Sequence, residues 1–106
     1  MSLDVTLFRD GEEVFSANIT HNLATMAIEA GIYDAVWRPD ENGIERAADI
    51  ATVLEPALRD MKHRPAHYAQ FDSPNGWGTY EDFLPWIEEY LAACLSCPDA
   101  VVDVSR

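Results

Sequence analysis

The sequence predicts an α+β fold, a small three-stranded antiparallel sheet in the order β-β-α-α-α-β with helices packed on one face. Three observations lead there. Leu3, Val5 and Leu7 alternate with Asp4 and Thr6, and Phe15, Ala17 and Ile19 alternate with Ser16 and Asn18, the period-two pattern of half-buried strands. From Leu23 to Cys94 apolar residues recur instead at spacings of three and four, the helical period. Ala100, Val102 and Val104 then alternate again as a terminal strand, which pairs with one of the first two. Helices on one face of such a sheet bury all these stripes together. The 106 residues have room for one domain, residues 1–106. A chain of this size buries about two thirds of its unfolded surface, enough for a core without staples.

Asp10-Gly11 marks a hairpin between the first two strands. A two-residue turn there pairs Leu7 with Val14 and sets Leu3, Val5 and Leu7 on the same face as Ser16 and Asn18. A three-residue loop, Arg9-Asp10-Gly11 with Gly11 left-handed, shifts the parity and aligns the apolar triplets, so it is the expected turn. It leaves Phe8 and Val14 on the other face as a small apolar spot.

Leu23, Met26, Ala27 and Ala30 define a short first helix capped by Thr20 or Asn22 and ended by a left-handed Gly31. Ile32 to Pro39 reads as a connection, with Trp37 and Arg38 outside any helix, because Pro39 forces Arg38 to be extended. Asn42-Gly43-Ile44-Glu45 resembles a capping box opening the longest helix, through Ile44, Ala47, Ala51, Leu54, Leu58 and Met61. Pro56 inside it predicts a kink or a break after Leu54. Pro65 starts a short turn through His67, Tyr68 and Phe71, and Asp72-Ser73-Pro74-Asn75-Gly76 is a dense loop signal. Thr79-Tyr80-Glu81-Asp82 is a second capping box. Tyr80, Phe83, Ile87, Leu91 and Cys94 then form the apolar face of a last helix ending before Pro98, with Pro85 leaving its start open.

Nineteen acids against seven bases give a net charge of -12, which repels nucleic acid and anionic membrane. Such a charge is either an ordinary solvated surface or a mimic of a phosphate backbone aimed at a basic protein; the acids never run beyond two in succession, as on a solvated surface. The chain has no apolar run of membrane-spanning length, and Met1-Ser2-Leu3-Asp4 has neither a basic flank nor an apolar h-region, so a cytoplasmic protein is expected. Outside a secretory route the sequon Asn18-Ile19-Thr20 is idle.

Cys94-Leu95-Ser96-Cys97 and His63-Arg64-Pro65-Ala66-His67 supply the residue types of a four-ligand zinc site. Pro65 breaks the helix that would align the two histidines, Cys94 already fits an apolar stripe, and the C-x-x-C falls at a helix end and not at a thiol-activating start. No metal and no cofactor are expected. Nucleophile-elbow, phosphate-loop, dinucleotide and zinc-protease motifs do not occur, and no carboxylate spacing singles out an acid/base pair, so the reading leans away from an enzyme.

Six residues are the candidate ligand contacts. His21 and Asn22 stand where the second strand meets the first helix, a place of free backbone N–H groups that favours an anion. Arg38 is a bidentate partner for carboxylate or phosphate, and Trp37 and Trp77 are platforms for a flat ligand whose edge Asn75 reads. Five have a plainer role: Asn22 as a helix cap, His21 as a locally bonded side chain, the two tryptophans as core, Arg38 in an ion pair; Asn75 is left without a structural reason. Trp77 stands between two glycines in Asn75-Gly76-Trp77-Gly78-Thr79-Tyr80-Glu81, where patterning demands no tryptophan.

Ala17-Asn18-Ile19-Thr20-His21-Asn22-Leu23, Trp37-Arg38-Pro39 and Asn75-Gly76-Trp77-Gly78-Thr79-Tyr80-Glu81, with the closing Pro98-Asp99-Ala100 and Val104-Ser105-Arg106, resemble a group of small uncharacterised proteins of phages and bacteria. The likeness runs over nearly the whole chain and brings no activity, cofactor or catalytic residue with it. A phage or mobile-element setting implies a protein that sequesters or blocks a host component. The first expectation is thus a non-enzymatic binding protein that sequesters a polar or anionic small ligand, nucleotides included, in a pocket of His21, Asn22, Trp37, Arg38, Asn75 and Trp77. The alternative is an acidic inhibitor or adaptor docking on a basic surface of a host defence or nucleic-acid-binding protein. Phe8 and Val14, or an unpaired strand edge, offer a homodimer contact.

Overall fold

β1 (Ser2–Arg9) and β2 (Glu12–Thr20) form an antiparallel hairpin, and the chain returns at its end to lay β3 (Val101–Ser105) antiparallel on the free side of β1. The sheet order is β2-β1-β3, and with the intervening helices this is the expected α+β fold. These elements belong to a computed structural model that describes residues 2–106; Met1, part of the reading of the amino terminus, lies outside them. β1 holds the central place because its inner face carries Leu3, Val5 and Leu7, all fully buried.

The hairpin register aligns Leu3 with Ile19, Val5 with Ala17 and Leu7 with Phe15, the expected pairing, yet the turn that produces it differs from expectation. Arg9 pairs with Glu12, so the loop is Asp10-Gly11 alone, with φ of 54° and 80°. Two left-handed residues make the mirror-image turn whose twist matches the strands, and aspartate and glycine tolerate that conformation. Phe8 then pairs with Glu13 while Leu7 pairs with Phe15, which leaves Val14 as an extra residue in β2. This bulge restores the parity that a two-residue turn alone would spoil. Without it Ser16 and Asn18 would face the core.

Thr20 accepts the Asn22 backbone N–H through Oγ1 at 3.2 Å and opens a 3-10 turn, His21–Leu23, that leads into α1 (Ala24–Ala30). Gly31 ends α1 at φ 77°. The next stretch corrects the expectation: α2 (Tyr33–Trp37) is a helical turn that contains Trp37, and Pro39 stops it only at Arg38. Ile32, Val36 and Trp37 sit on one side of that turn and are all buried, so packing outweighs the restriction Pro39 imposes.

α3 (Ala47–His63) begins three residues later than the apolar stripe indicates. Glu45 and Arg46 stay extended against β3, with Arg46 bridging Val101 and the Val102 N–H donating to the Glu45 carbonyl at 3.0 Å. The first helical N–H groups, of Ala47 and Ala48, donate to the carbonyls of Ala100 and Pro98 at 2.9 and 3.0 Å, so tertiary contacts do the work assigned to a capping box. Nor does Pro56 break α3. Thr52 and Pro56 both lie on its exposed side, where the carbonyl deprived of a helix partner is open to solvent. α4 (Pro65–Ala69) takes its proline at the first helical position, and α5 (Tyr80–Ser96) starts on the Thr79 cap and runs through an exposed Pro85.

The helices cover the inner face of the sheet. α3 and α5 make the broadest helix contact, and Tyr90 of α5 stacks on Phe15 of β2 with centroids 5.9 Å apart. Leu23, Met26, Ile50, Leu54, Phe83 and Ile87 close the core beneath β1, each fully buried and each contributing about 1.5–3 kcal/mol of apolar burial. Among the described residues no helix is long and apolar enough to cross a membrane.

Candidate functional site

The loop between α4 and α5 is short, polar and closely braced. The Ser73 N–H donates to the Gly78 carbonyl at 2.9 Å, closing it at the base, and the Gly76 N–H donates back to Ser73 at 3.0 Å. Asn75 Oδ1 accepts from the Trp77 N–H at 2.9 Å and from Ser73 Oγ at 2.6 Å, and the Tyr80 N–H donates to Asp72 Oδ1 at 2.7 Å. From across the fold, Asn22 Nδ2 donates to the Trp77 carbonyl at 2.7 Å. Gly78 lies flat on the same turn, so close that a Cβ there would stand 3.1 Å from Asn22 Cβ and 3.3 Å from Leu23 Cγ. Apart from the Ser73–Asn75 side-chain bond these contacts hold backbone, and the Trp77 ring they carry is 73% exposed.

His21 and Trp37 meet, but at the edge of the core, His21 half-buried and Trp37 buried. Trp37 Nε1 donates to His21 Nδ1 at 3.0 Å, so Nδ1 is the accepting nitrogen of that ring. Trp37 is 2% exposed, stacks on Tyr33 with centroids 5.5 Å apart and meets Phe83 edge-on, so its ring is a wall of the core and not an open platform. Arg38 is occupied as well. Its Nε donates to the Tyr33 hydroxyl at 3.2 Å and its Nη1 to Glu41 at 2.6 Å, both favouring the charged form and raising its pKa further. Arg106 joins that corner, donating to the Trp37 carbonyl and to Asp40, each at 2.9 Å.

The six sequence-derived candidates thus divide. Asn22, Asn75 and Trp77 share the braced loop, His21 and Trp37 share a half-buried hydrogen bond, and Arg38 belongs to the corner with Glu41. Four surface hollows of the fold are lined by other residues. Asn75, which the sequence leaves without a structural reason, has one: its carboxamide forms the turn that presents Trp77, the role an asparagine two residues before the supported N–H commonly takes. What the sequence pattern did not single out is the pair of acids at the foot of the loop, Asp72 and Glu81. Asp72 reads only as part of a loop signal and Glu81 only as part of a capping box, and the docking of α4 brings Pro65 and Ala66 beside them.

The charges are arranged unevenly. Arg9, Arg38, Lys62, Arg64 and Arg106 are matched by Asp99, Glu41, Glu88, Asp60 and Asp40, so five of the nineteen acids carry a described arginine or lysine partner. No lysine or arginine occurs from residue 65 to residue 105, the segment that contains the Trp77 loop and all of α5, or from residue 10 to residue 37, which contains its seat. The segments that build the loop and its seat therefore contribute acids and no arginine or lysine, and a single large aromatic ring projects from the loop.

The zinc-type residues stay apart in role. Cys94 is fully buried on α5, where desolvation pushes its thiol up to about 12, while Cys97 caps the end of that helix beside the Arg9 guanidinium. His63 closes α3, and His67 meets Glu29 at 2.9 Å on the other side of the Arg64 break. Among the described residues no three His, Cys, Asp or Glu are grouped so as to hold a metal ion.

Compared with protein-family models, with curated proteins and with solved structures, the chain shows no significant match, so the chemistry of the site rests on its own residues. Those residues offer recognition. An exposed indole on a rigid loop in an acidic field attracts cations over its face and apolar surface at its edge.

Proposed function

We propose that the protein is a non-enzymatic, acidic binding protein that docks on a basic surface of another protein, with Trp77 at the centre of the contact. The observation that carries this reading is the contrast at Trp77, a ring 73% exposed on a backbone held by hydrogen bonds from Asn22 and Asn75. Tryptophan is enriched among the residues that dominate interface energies, and a loop already ordered before binding loses little further entropy on docking. The unpaired acids supply the complementary charge, which speeds encounter with a basic partner and disfavours acidic ones. The resemblance to small phage and bacterial proteins supports a host protein in the cytoplasm as that partner, one whose own basic surface serves nucleic acid or defence.

Sequestration of a small anionic ligand is the weaker reading. Arg38 is already paired with Glu41, and the Nδ1 lone pair of His21 is engaged by Trp37. Fluorescence separates the two readings, because Trp37 and Trp86 are buried and Trp77 is the exposed emitter. Titration with basic peptides should quench or blue-shift the exposed emission, weaken steeply between low and physiological salt, and disappear in Trp77→Ala. Failure of every basic peptide, together with a rise in melting temperature on adding a nucleotide or other anionic metabolite, would overturn the docking reading in favour of the ligand pocket.

A further inference from the structure

We infer that the hollow at the foot of the Trp77 loop is the seat for an arginine side chain of the basic partner, an inference that rests on the docking reading above and names what that surface recognises. The hollow, about 450 Å³, opens between α4 and the start of α5. Pro65, Ala66 and Ala69 form its apolar side, and Asp72, Thr79, Tyr80 and Glu81 form its polar side.

Its hydrogen-bonding capacity is one-sided. The Thr79 hydroxyl already donates to Asp82 at 3.1 Å and the Tyr80 hydroxyl to the Met61 carbonyl at 2.7 Å, so both side-chain donors among the lining residues are spent. The acceptors are not. Asp72 uses Oδ1 for the Tyr80 N–H, leaving Oδ2, and the Glu81 carboxylate has no described partner. Lys62 and Arg64, the nearest bases along the chain, are held by Glu88 at 3.1 Å and Asp60 at 2.7 Å. A hollow that offers acceptors and an apolar side suits a side chain with an apolar stem and a donor-rich cationic head. Anions find no free side-chain donor there.

Arginine fits better than lysine. Its guanidinium presents five N–H donors in a plane and serves two carboxylates at once, while the methylenes lie along the prolyl and alanyl surface. Ser73 and Gly78, which close the loop, are the chain neighbours of Asp72 and Thr79 in the lining, so the hollow adjoins the foot of the Trp77 loop.

The test uses the full chain and an acetylated, amidated hexapeptide of alternating arginine and glycine, with lysine and citrulline versions as comparators. Asp72→Asn keeps the Oδ1 acceptor for the Tyr80 N–H, and Glu81→Gln keeps the side-chain length. Together they should weaken the arginine peptide by about tenfold or more, and citrulline should weaken it similarly, since each removes a charge-assisted pair. Lysine should bind more weakly than arginine. The double change Glu12→Gln with Glu13→Gln, the same loss of charge at the hairpin end, should alter binding by less than about twofold. Equal effects of the two double changes, or lysine binding as tightly as arginine, would overturn the seat. Loss of binding in Trp77→Ala with no effect at Asp72 and Glu81 would also remove the seat and leave the docking reading standing. The reverse pattern would keep the seat and displace Trp77 from the centre.

Discussion

The side-chain amide of Asn22 donates to the carbonyl oxygen of Trp77 at 2.7 Å, a bond that spans 55 residues and ties the entry of the first helix to the loop before the last. Gly78 makes that approach feasible. Its φ is 118°, and an added Cβ would fall 3.1 Å from Asn22 Cβ with Leu23 and Thr20 each 3.3 Å away. Gly78→Ala is expected to destabilise the fold by about 2 kcal/mol or more, combining backbone strain with a clash. Gly76→Ala, also left-handed at 78° but with open space around it, should cost about 1 kcal/mol. Urea unfolding of both variants checks this, and equal costs would mean that the close approach at Gly78 is not what demands glycine.

Val14 is the second test. With a two-residue turn at Asp10-Gly11, deletion of Val14 places Phe15 opposite Leu7 without any bulge, so the apolar triplets stay aligned. The shortened protein should keep its fold and melt within a few degrees of the parent, a change of about 1 kcal/mol or less. Deleting Gly11 instead disrupts the turn and should cost about 2 kcal/mol. Thermal melts and amide exchange in β1 read the outcome. Loss of structure on deleting Val14 would show that the bulge does more than set parity.

Asp60 gives the fold an acid limit. Hydrogen bonds from Arg64 and from the Tyr68 hydroxyl hold its carboxyl down at about 2, below the ordinary carboxylate value of about 4. Because the folded value is the lower one, the stabilisation is complete above about pH 4 and is lost as the pH falls toward 2. Asp60→Asn should therefore lower stability at neutral pH and flatten this part of the acid profile. The group is exposed to solvent, so the effect is modest. Identical acid profiles for parent and variant would rule out Asp60 as a contributor.

Much of the fold was legible in the residues themselves. Alternation at Leu3, Val5 and Leu7 and at Phe15, Ala17 and Ile19 determined the strands and their facing register, because a strand has two faces and one of them must be dry. Gly31 and Thr79 marked a helix end and a helix start through conformational needs local to a few residues. Wherever the deciding partner was distant, the local signal misled. Trp37 joined a helix because its ring is buried against Tyr33, Phe83 and His21, and the start of α3 was moved by carbonyls at Pro98 and Ala100.

The candidate site followed the same division. Residue types alone nominated Trp77, since a tryptophan between two glycines has no periodic stripe to join, and its 73% exposure came from a loop whose bracing is largely short-range. His21 and Trp37 were joined by packing between separate elements, which spent their hydrogen bond on one another, whereas Arg38 was taken up by near neighbours, Tyr33 and Glu41, that no motif had flagged. The hollow beside Asp72 and Glu81 exists only because α4 docks against the start of α5, a juxtaposition with no spacing rule in the sequence. Local geometry is written in neighbouring residues, whereas a cavity is made by surfaces that meet only when the chain has closed on itself.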